Sequence, residues 1–584
     1  MWSVSILSLS IACGAKGDAA ELRNAQPLAP SRVTLTIETE SRHQISPFIY
    51  GLNFAEKESS TPGHAPWYGA PLPEEVTLNR FGGNRLSTFN WVTGWSNTGG
   101  DGDYANDDWL TRSADAYDYG QAVGSAVAGR VNSSFARKQA MLLTIPMVGY
   151  VAGDASGAPL STTDADRARR LAGHFKRSRA FKGAPFSLSP SPGDPVVFQD
   201  EFVNWVKATW PDSTRDPRTP VFFSLDNEPD SWTSTHKEIL SDIGDDPKRP
   251  RIATYDAFID TSISYAKAIK SVLPSAQVFG PAVATYTGLV ALGRYTEAGW
   301  VDDPVHGRRN FGEIYLDRMR QAGTRYGRRL LDVFDIHYYS AAGTGGYAIG
   351  NDHAPQSRAM IEARLQAPRS LWDPSYNEGS WVNGVTEGPI ELLPRLRRQI
   401  ATHYPGTKLA VTEYFFGRGG DISGGLAQAD ALGIFGREGV FAAALWPAGD
   451  VWAPPFHGEG GRAYAFALGA FTLFRNFDGA GGCFGDTGVA ARTSDPVGSS
   501  VYASLDAQDR LVIVAINKRV TERTTATIDV ATARPRSRVV GVFRLTSESP
   551  TPSAVKWTEV SGSGHNSFLY VMPPMSATVI VVAP

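Results

Sequence analysis

Eight short apolar runs recur along the middle of the chain, and their rhythm limits the fold more than any other feature. They are Phe48–Phe54, Val76–Gly83, Met141–Gly149, Val221–Glu228, Gln277–Ala284, Val333–Tyr339, Leu409–Tyr414 and Val440–Pro447. Helical spacing of apolar residues fills several of the gaps, over Asp164–Phe175, Tyr255–Val272, Phe311–Tyr326, Ile390–His403 and Leu426–Arg437. Continuous apolar strands need cover on both faces, and strands that alternate with helices form parallel sheets. Eight such units predict an α/β fold, a (β/α)8 TIM barrel, whose functional face lies at the C-terminal ends of the strands. The barrel is expected over 48–475. That span exceeds the usual size, so 97–135 and 341–385 read as insertions that shape a cleft on that face.

Past the barrel the helical signal stops. Ser500–Asp506, Arg510–Asn517, Thr524–Val530, Val539–Leu545, Ser567–Val571 and Ala577–Val582 follow with turn residues between them, the pattern of an antiparallel β-sandwich. Val33–Thr39 alternates in the same way. The sandwich domain is therefore expected to combine 32–47 with 476–584. No internal repeat is present.

The first 31 residues read as an export signal and linker. Residues 2–12 are apolar but far short of the roughly 20 that a membrane-spanning helix needs, and they match the core of a secretory signal. Cys13 follows and could carry a bacterial lipid anchor, although Ser10 fits that cleavage pattern poorly, so simple export is preferred. The expected location is outside a bacterial cell, free or at its surface. Beyond Cys13 the chain has only Cys483, so its stability rests on a packed core and not on disulfides.

A net charge of −3, from 56 basic and 59 acidic residues, argues against nucleic acid or an anionic membrane as partner. A neutral polymer suits this balance. The 14 Trp and 21 Tyr are compatible with sugar stacking and equally with ordinary core packing.

The strand ends carry the chemistry. They hold Asn53, then Arg80, Gly82, Gly83 and Asn84, then Tyr150, Asn227, Glu228, Pro281, His337, Tyr339, Glu413 and Trp446. Glu228 and Glu413 each end an apolar run, and a buried ionisable group is costly unless paired or used. Two carboxyl groups are what cleavage of a glycosidic bond requires, one to protonate the leaving oxygen and one to attack or to activate water. The bland readings are a helix start at Asn227-Glu228-Pro229 and an ion pair at Glu413. Asn227 could hydrogen-bond a sugar 2-hydroxyl, and Arg80 could hold a nucleophilic carboxylate ionised. His337 and Tyr339 share a strand face, though a satisfied core histidine is the default. Trp446 could form a sugar platform, and Trp91, Trp372 and Trp381 could stack outer sugars; each could equally be core. The Asp101–Asp108 loop is dense in carboxylates and could take a structural calcium, but a solvated acidic loop is the preferred reading. There is no zinc-type motif, phosphate-cradling glycine loop or serine nucleophile elbow, so no metal or cofactor is expected in catalysis.

At these residues the chain resembles glycoside hydrolase family 44, the endoglucanase and xyloglucanase family. The resemblance rests on Asn79-Arg-Phe-Gly-Gly-Asn84 with Asn90-Trp91, Leu225-Asp-Asn-Glu-Pro229, Asp335-Ile-His-Tyr-Tyr339, Arg369-Ser-Leu-Trp-Asp-Pro-Ser-Tyr376 leading to Trp381, Val411-Thr-Glu-Tyr414 and Ala444-Leu-Trp-Pro447. Phe474–Gly479 and Gly485-Asp-Thr resemble the family's passage from barrel to sandwich. The similarity covers about 33–584, departing at Phe81, where tryptophan is commoner, and over Lys237–Arg251. It implies a retaining endo-β-1,4-glucanase, with Glu228 as acid/base and Glu413 as nucleophile. The neighbouring negative charge of Glu413 should raise the pKa of Glu228, and the two carboxyl groups should lie about 5–5.5 Å apart. The substrate is expected to be a β-glucan polysaccharide and the chain a monomer. The alternatives are a xyloglucan- or mannan-specific endo-hydrolase and, from another class, a non-catalytic polysaccharide-binding protein.

Overall fold

The computed structural model describes residues 31–55, 76–113, 117–213, 219–240, 254–293, 295–296, 299–300, 305–307, 309–351, 354–446, 464–536, 538–564 and 566–584. The expected signal, Cys13 and nearly all of the linker lie outside these residues, as does most of Lys237–Arg251. Among the described residues no helix is long and apolar enough to cross a membrane.

Eight parallel strands close a barrel in chain order. They are Gly51–Asn53, Leu78–Phe81, Ala140–Ile145, Val221–Leu225, Val278–Val283, Val333–Tyr339, Lys408–Phe415 and Ala442–Leu445, called here strands one to eight. Each overlaps one of the eight apolar runs. The runs are apolar throughout because both strand faces are covered. Leu78, Ala140, Leu142, Phe222, Phe279, Val333, Ala410 and Ala442 fill the barrel interior. Their neighbours, such as Phe334, Ile336 and Val411, belong to the larger core shared with the surrounding helices.

Helices Tyr255–Val272 and Phe311–Tyr326 match their expected bounds. The one expected from Leu426 starts earlier, at Ile422, because the Asp421 carboxylate caps it by accepting from the Ser423 and Gly424 N–H groups. The insertion expected over 97–135 is shorter than anticipated, since Ser125–Ala136 is a barrel helix. Its Ser, Gly, Asn and Val content hides helical propensity, and burial of Ala126, Val127, Arg130 and Val131 supplies what propensity does not.

The second sheet has ten strands. All its pairings are antiparallel except one: Ser31–Gln44 lies antiparallel to Thr487–Thr493 and parallel to Thr524–Ala531. Strands from both halves of this sheet share a single core, with Leu35, Ile528 and Phe568 facing Ile513, Val542 and Ile580, so the sheet folds over as a sandwich. Leu511–Asn517 is apolar on both faces for a definite reason. Leu511, Ile513 and Ala515 point into the sandwich, while Val512, Val514 and Ile516 join the core of the barrel.

Candidate active site

Two glutamates meet at the C-terminal rim of the barrel. Strand four ends at Leu225, and the chain then turns through Asp226 and Glu228, both in the left-handed region with φ of 68° and 44°. Such backbone is unfavourable for residues with a Cβ and persists where the surroundings over-determine it. Here the Asp226 carboxylate accepts from the Ser87 hydroxyl and from the N–H groups of Met147 and Asn227. The Glu228 N–H donates to the Ala282 carbonyl at 2.8 Å. Glu413 arrives from strand seven and is 4% exposed; Glu228 is 8% exposed.

Arg80, fully buried on strand two, organises the space between them. Its Nη1 donates to Glu413 Oε1 at 2.6 Å and to Asn53 Oδ1 at 2.9 Å. Its Nη2 donates to Asn227 Oδ1 at 2.7 Å and lies 3.3 Å from His337 Nε2. A guanidinium can only donate, so His337 Nε2 accepts and the ring proton sits on Nδ1. That Nδ1–H points at Glu228 Oε1, 2.8 Å away, and lies 3.4 Å from Glu413 Oε2. The Tyr339 hydroxyl donates to Glu413 Oε2 at 2.8 Å. One carboxylate oxygen of each glutamate and a ring nitrogen of His337 all lie within 4.8 Å of one another.

Burial pushes the Glu228 carboxyl up to about 7; the charge of Asp101 adds to the rise and Arg80 opposes it. Desolvation is thus the leading cause, in place of the repulsion from Glu413 that the sequence suggested. Burial also holds His337 down at about 3, against the pull of Glu413. The imidazole is therefore neutral in ordinary buffers, consistent with the tautomer that Arg80 imposes. A cation at this triad would have to displace Arg80 and Tyr339, which already occupy Glu413. The donor set fits a hydrogen-bonded acid pair better than a metal centre.

Gly82 and Gly83 make this arrangement possible. A Cβ on Gly82 would lie 2.3 Å from Arg80 Cζ, and one on Gly83 would lie 2.7 Å from Trp446 Cη2. Trp446 thus lies close on Gly83 and meets Phe54 edge to face, with ring centroids 5.7 Å apart. The Asn227 amide is largely engaged: its Oδ1 also accepts from the Gly83 N–H at 3.1 Å, and its Nδ2 reaches Asn84 Oδ1 at 3.3 Å. Asn84 in turn donates to the Asp101 carboxylate at 3.0 Å. Elsewhere in the acidic loop Asp107 is held by Arg85 and Asp108 by Arg112. Much of the negative charge that a calcium ion would need is already neutralised there.

The tryptophans divide. Trp381 is 56% exposed. It begins the helix Trp381–Thr386, which is tied to the rim by Glu378 bridging Ser340 at 2.7 Å and Ser380 at 2.6 Å. Trp91 is a correction: it is 1% exposed, stacks on Phe202 at 5.3 Å and donates to the Phe198 carbonyl, so no sugar can reach it. Trp372 is another. Its ring lies 4.0 Å from Arg437 Cζ. Arg437 ends the helix Ile422–Arg437 and leads into strand eight, which places it toward the N-terminal rim, away from the glutamates.

Sequence reasoning passed over several supporting residues. Asn53 stood out only as a polar strand end. Asp335 could have been found from its spacing of two from His337, but Ser87 carries no signal at all. His236 pairs with Glu238 at 2.9 Å and with the Asn84 carbonyl at 3.0 Å, which stiffens the loop behind Asn84.

Comparison with known proteins gives a consistent picture. The model of glycoside hydrolase family 44 matches residues 95–342. Endoglucanase A of Paenibacillus lautus is 35% identical over 561 residues, which cover 95% of this chain and 73% of that one. A family 44 endoglucanase from Clostridium thermocellum superposes with a TM-score of 0.80 at 33% identity, covering 94% of this chain and 100% of the other. A family 44 xyloglucanase from Paenibacillus polymyxa gives 0.80 at 32% identity, covering 95% and 100%.

Proposed function

Because the chain belongs to glycoside hydrolase family 44, and so is an endo-acting glycoside hydrolase, we propose that it cleaves internal β-1,4 links of cellulose-type glucans with retention of configuration. The observation that carries this reading is that one carboxylate oxygen of Glu228 and one of Glu413 lie within 4.8 Å of each other. Inverting enzymes leave about 6.5–9.5 Å for a water between the two groups, whereas retaining ones hold them about 5–5.5 Å apart.

In the first step a Glu413 oxygen bonds to the anomeric carbon as the glycosidic C–O bond breaks, and the Glu228 proton passes to the departing oxygen. In the second, ionised Glu228 takes a proton from water, the water oxygen bonds to the anomeric carbon, and Glu413 leaves as carboxylate. Arg80 grips one oxygen of Glu413 and orients it. His337 occupies one oxygen of Glu228 with its Nδ1–H, which leaves the acidic proton to the other oxygen. Trp446 and Tyr339 form the floor beneath the reacting sugar, Asn84 and Asn227 its polar wall, and Trp381 an outer platform. None of these steps calls for a cofactor.

The anomeric signal of the first product, followed by proton NMR, should be β and mutarotate later; an initial α product would exclude retention. Glu413→Gln should abolish turnover. Glu228→Ala should lose far more activity on polymer than on an aryl glycoside with an activated leaving group, and equal loss on both would contradict its role as acid. A xyloglucan preference is the second reading, supported by the similarity to the Paenibacillus polymyxa xyloglucanase. Initial rates on carboxymethyl cellulose, xyloglucan and mannan separate the possibilities. We further read 48–475 as the catalytic domain, 32–47 with 476–584 as its sandwich partner, the active unit as a monomer, and the chain as exported, since a polymeric substrate lies outside the cell.

A further inference from the structure

Strand seven does not alternate strictly. Against strand six it pairs Ile336 with Val411 and then His337 with Glu413. Against strand eight it pairs Val411 with Ala443 and then Tyr414 with Leu445. Both registers slip at the same place, so strand seven carries an extra residue there, a β-bulge at Thr412. The consequence is directional. Ala410 lines the barrel interior, so strict alternation would turn Thr412 inward and Glu413 outward, toward the helices. With the bulge, Glu413 faces Arg80 and Tyr339 inside the barrel, while Tyr414 faces out against Phe435.

A bulge leaves backbone groups without their usual ladder partners, and these must be satisfied because Thr412 is fully buried. Asp335 on strand six accepts from the Thr412 N–H at 3.2 Å and from its hydroxyl at 2.7 Å. Asn53 on strand one donates to the Thr412 carbonyl at 3.0 Å. Every polar group of the bulged residue therefore ends on a side chain. Asp335 is itself 0% exposed, below His337 on the same strand face, where no substrate can touch it.

We propose that Asp335 is a positioning residue that aims Glu413 at the anomeric carbon by holding the Thr412 bulge. This rests on the reading of Glu413 as nucleophile. The test uses the full chain and a 2,4-dinitrophenyl 2-deoxy-2-fluoro-β-cellobioside, which traps the glycosyl-enzyme and releases dinitrophenolate in a burst. Peptide mass mapping should locate the sugar on Glu413. Thr412→Val and Asp335→Ala should each slow the burst rate constant by about tenfold to a hundredfold, as expected when a reacting group is displaced by around 1 Å. Thr412→Ser, which keeps the hydroxyl, should recover most of the rate, and the double variant should be little slower than the slower single one. A role in folding alone would lower the burst amplitude and leave the rate constant of the labelled molecules unchanged. Wild-type rate constants in Thr412→Val, or a Thr412→Ser variant as slow as Thr412→Val, would overturn the proposal. Labelling of a residue other than Glu413 in the wild type would instead overturn the nucleophile assignment and the positioning role with it.

Discussion

Arg80 sets the chemistry of four side chains at once. It charges the environment of Glu413, fixes the Asn53 and Asn227 amides, and by offering only donors decides which nitrogen of His337 carries the proton. The imidazole then donates to Glu228, whose carboxyl is raised to about 7 mainly by burial. The pH dependence follows in sign. With Glu228 in its proposed role as acid, attack on polymer requires it protonated, a state lost as pH rises through about 7, so kcat/KM on polymer should fall on that side. An aryl glycoside with an activated leaving group needs no proton, so its glycosylation step should show a much weaker alkaline limb. Identical limbs on the two substrates would mean that another group controls the profile. At this scale sequence reading identified the ionisable residues but could not sort the aromatic ones. Trp91 and Trp381 both follow barrel strands, yet one is enclosed by Phe202 and Trp205 and the other stands in solvent.

At the level of elements, the site depends on departures from regular strand geometry. Strand five slips in register between Pro281 and Val283, and the carbonyl of the intervening Ala282 receives the Glu228 N–H. Strand seven slips at Thr412 beside Glu413. Each glutamate is thus served by an irregularity that re-aims backbone or side chain, a common use of bulges near active sites. Neither was legible in the sequence, because a bulge is defined by the partner strand. The turn after strand two was partly legible as a glycine pair. Its physical demand is space for Arg80, so Gly82→Ala should push the guanidinium away from Glu413 and Asn227. A fall in kcat of about tenfold or more is expected with the fold intact by circular dichroism; an unchanged kcat would show that the arginine can yield without harm.

Across the whole molecule, the sandwich and barrel share one core. Gly433 leaves room for the Tyr502 ring, against which a Cβ would come to 2.2 Å, and Gly469 lies as closely on the Pro550 carbonyl. Within this contact Lys518 pairs with Asp430 at 2.9 Å, each side chain 3% exposed, and the Tyr502 hydroxyl donates to the same carboxylate. Lys518→Met removes one partner of a buried pair, and should cost about 3–5 kcal/mol in urea unfolding; a loss below about 1 kcal/mol, typical of exposed pairs, would mean that water reaches the site. Leu511–Asn517 is buried on both faces, and its second partner, the core of the barrel, is visible only in the fold. Eight apolar runs, their alternation with helices and a glutamate at two of their ends determined the barrel and marked two buried glutamates at its rim, because periodicity and burial cost are written along the backbone itself. Which residues meet across the barrel, which strand carries an extra residue and which tryptophan faces solvent were decided by the tertiary structure alone. Those properties arise when the barrel closes and distant segments must satisfy one another's polar groups and fill one another's space.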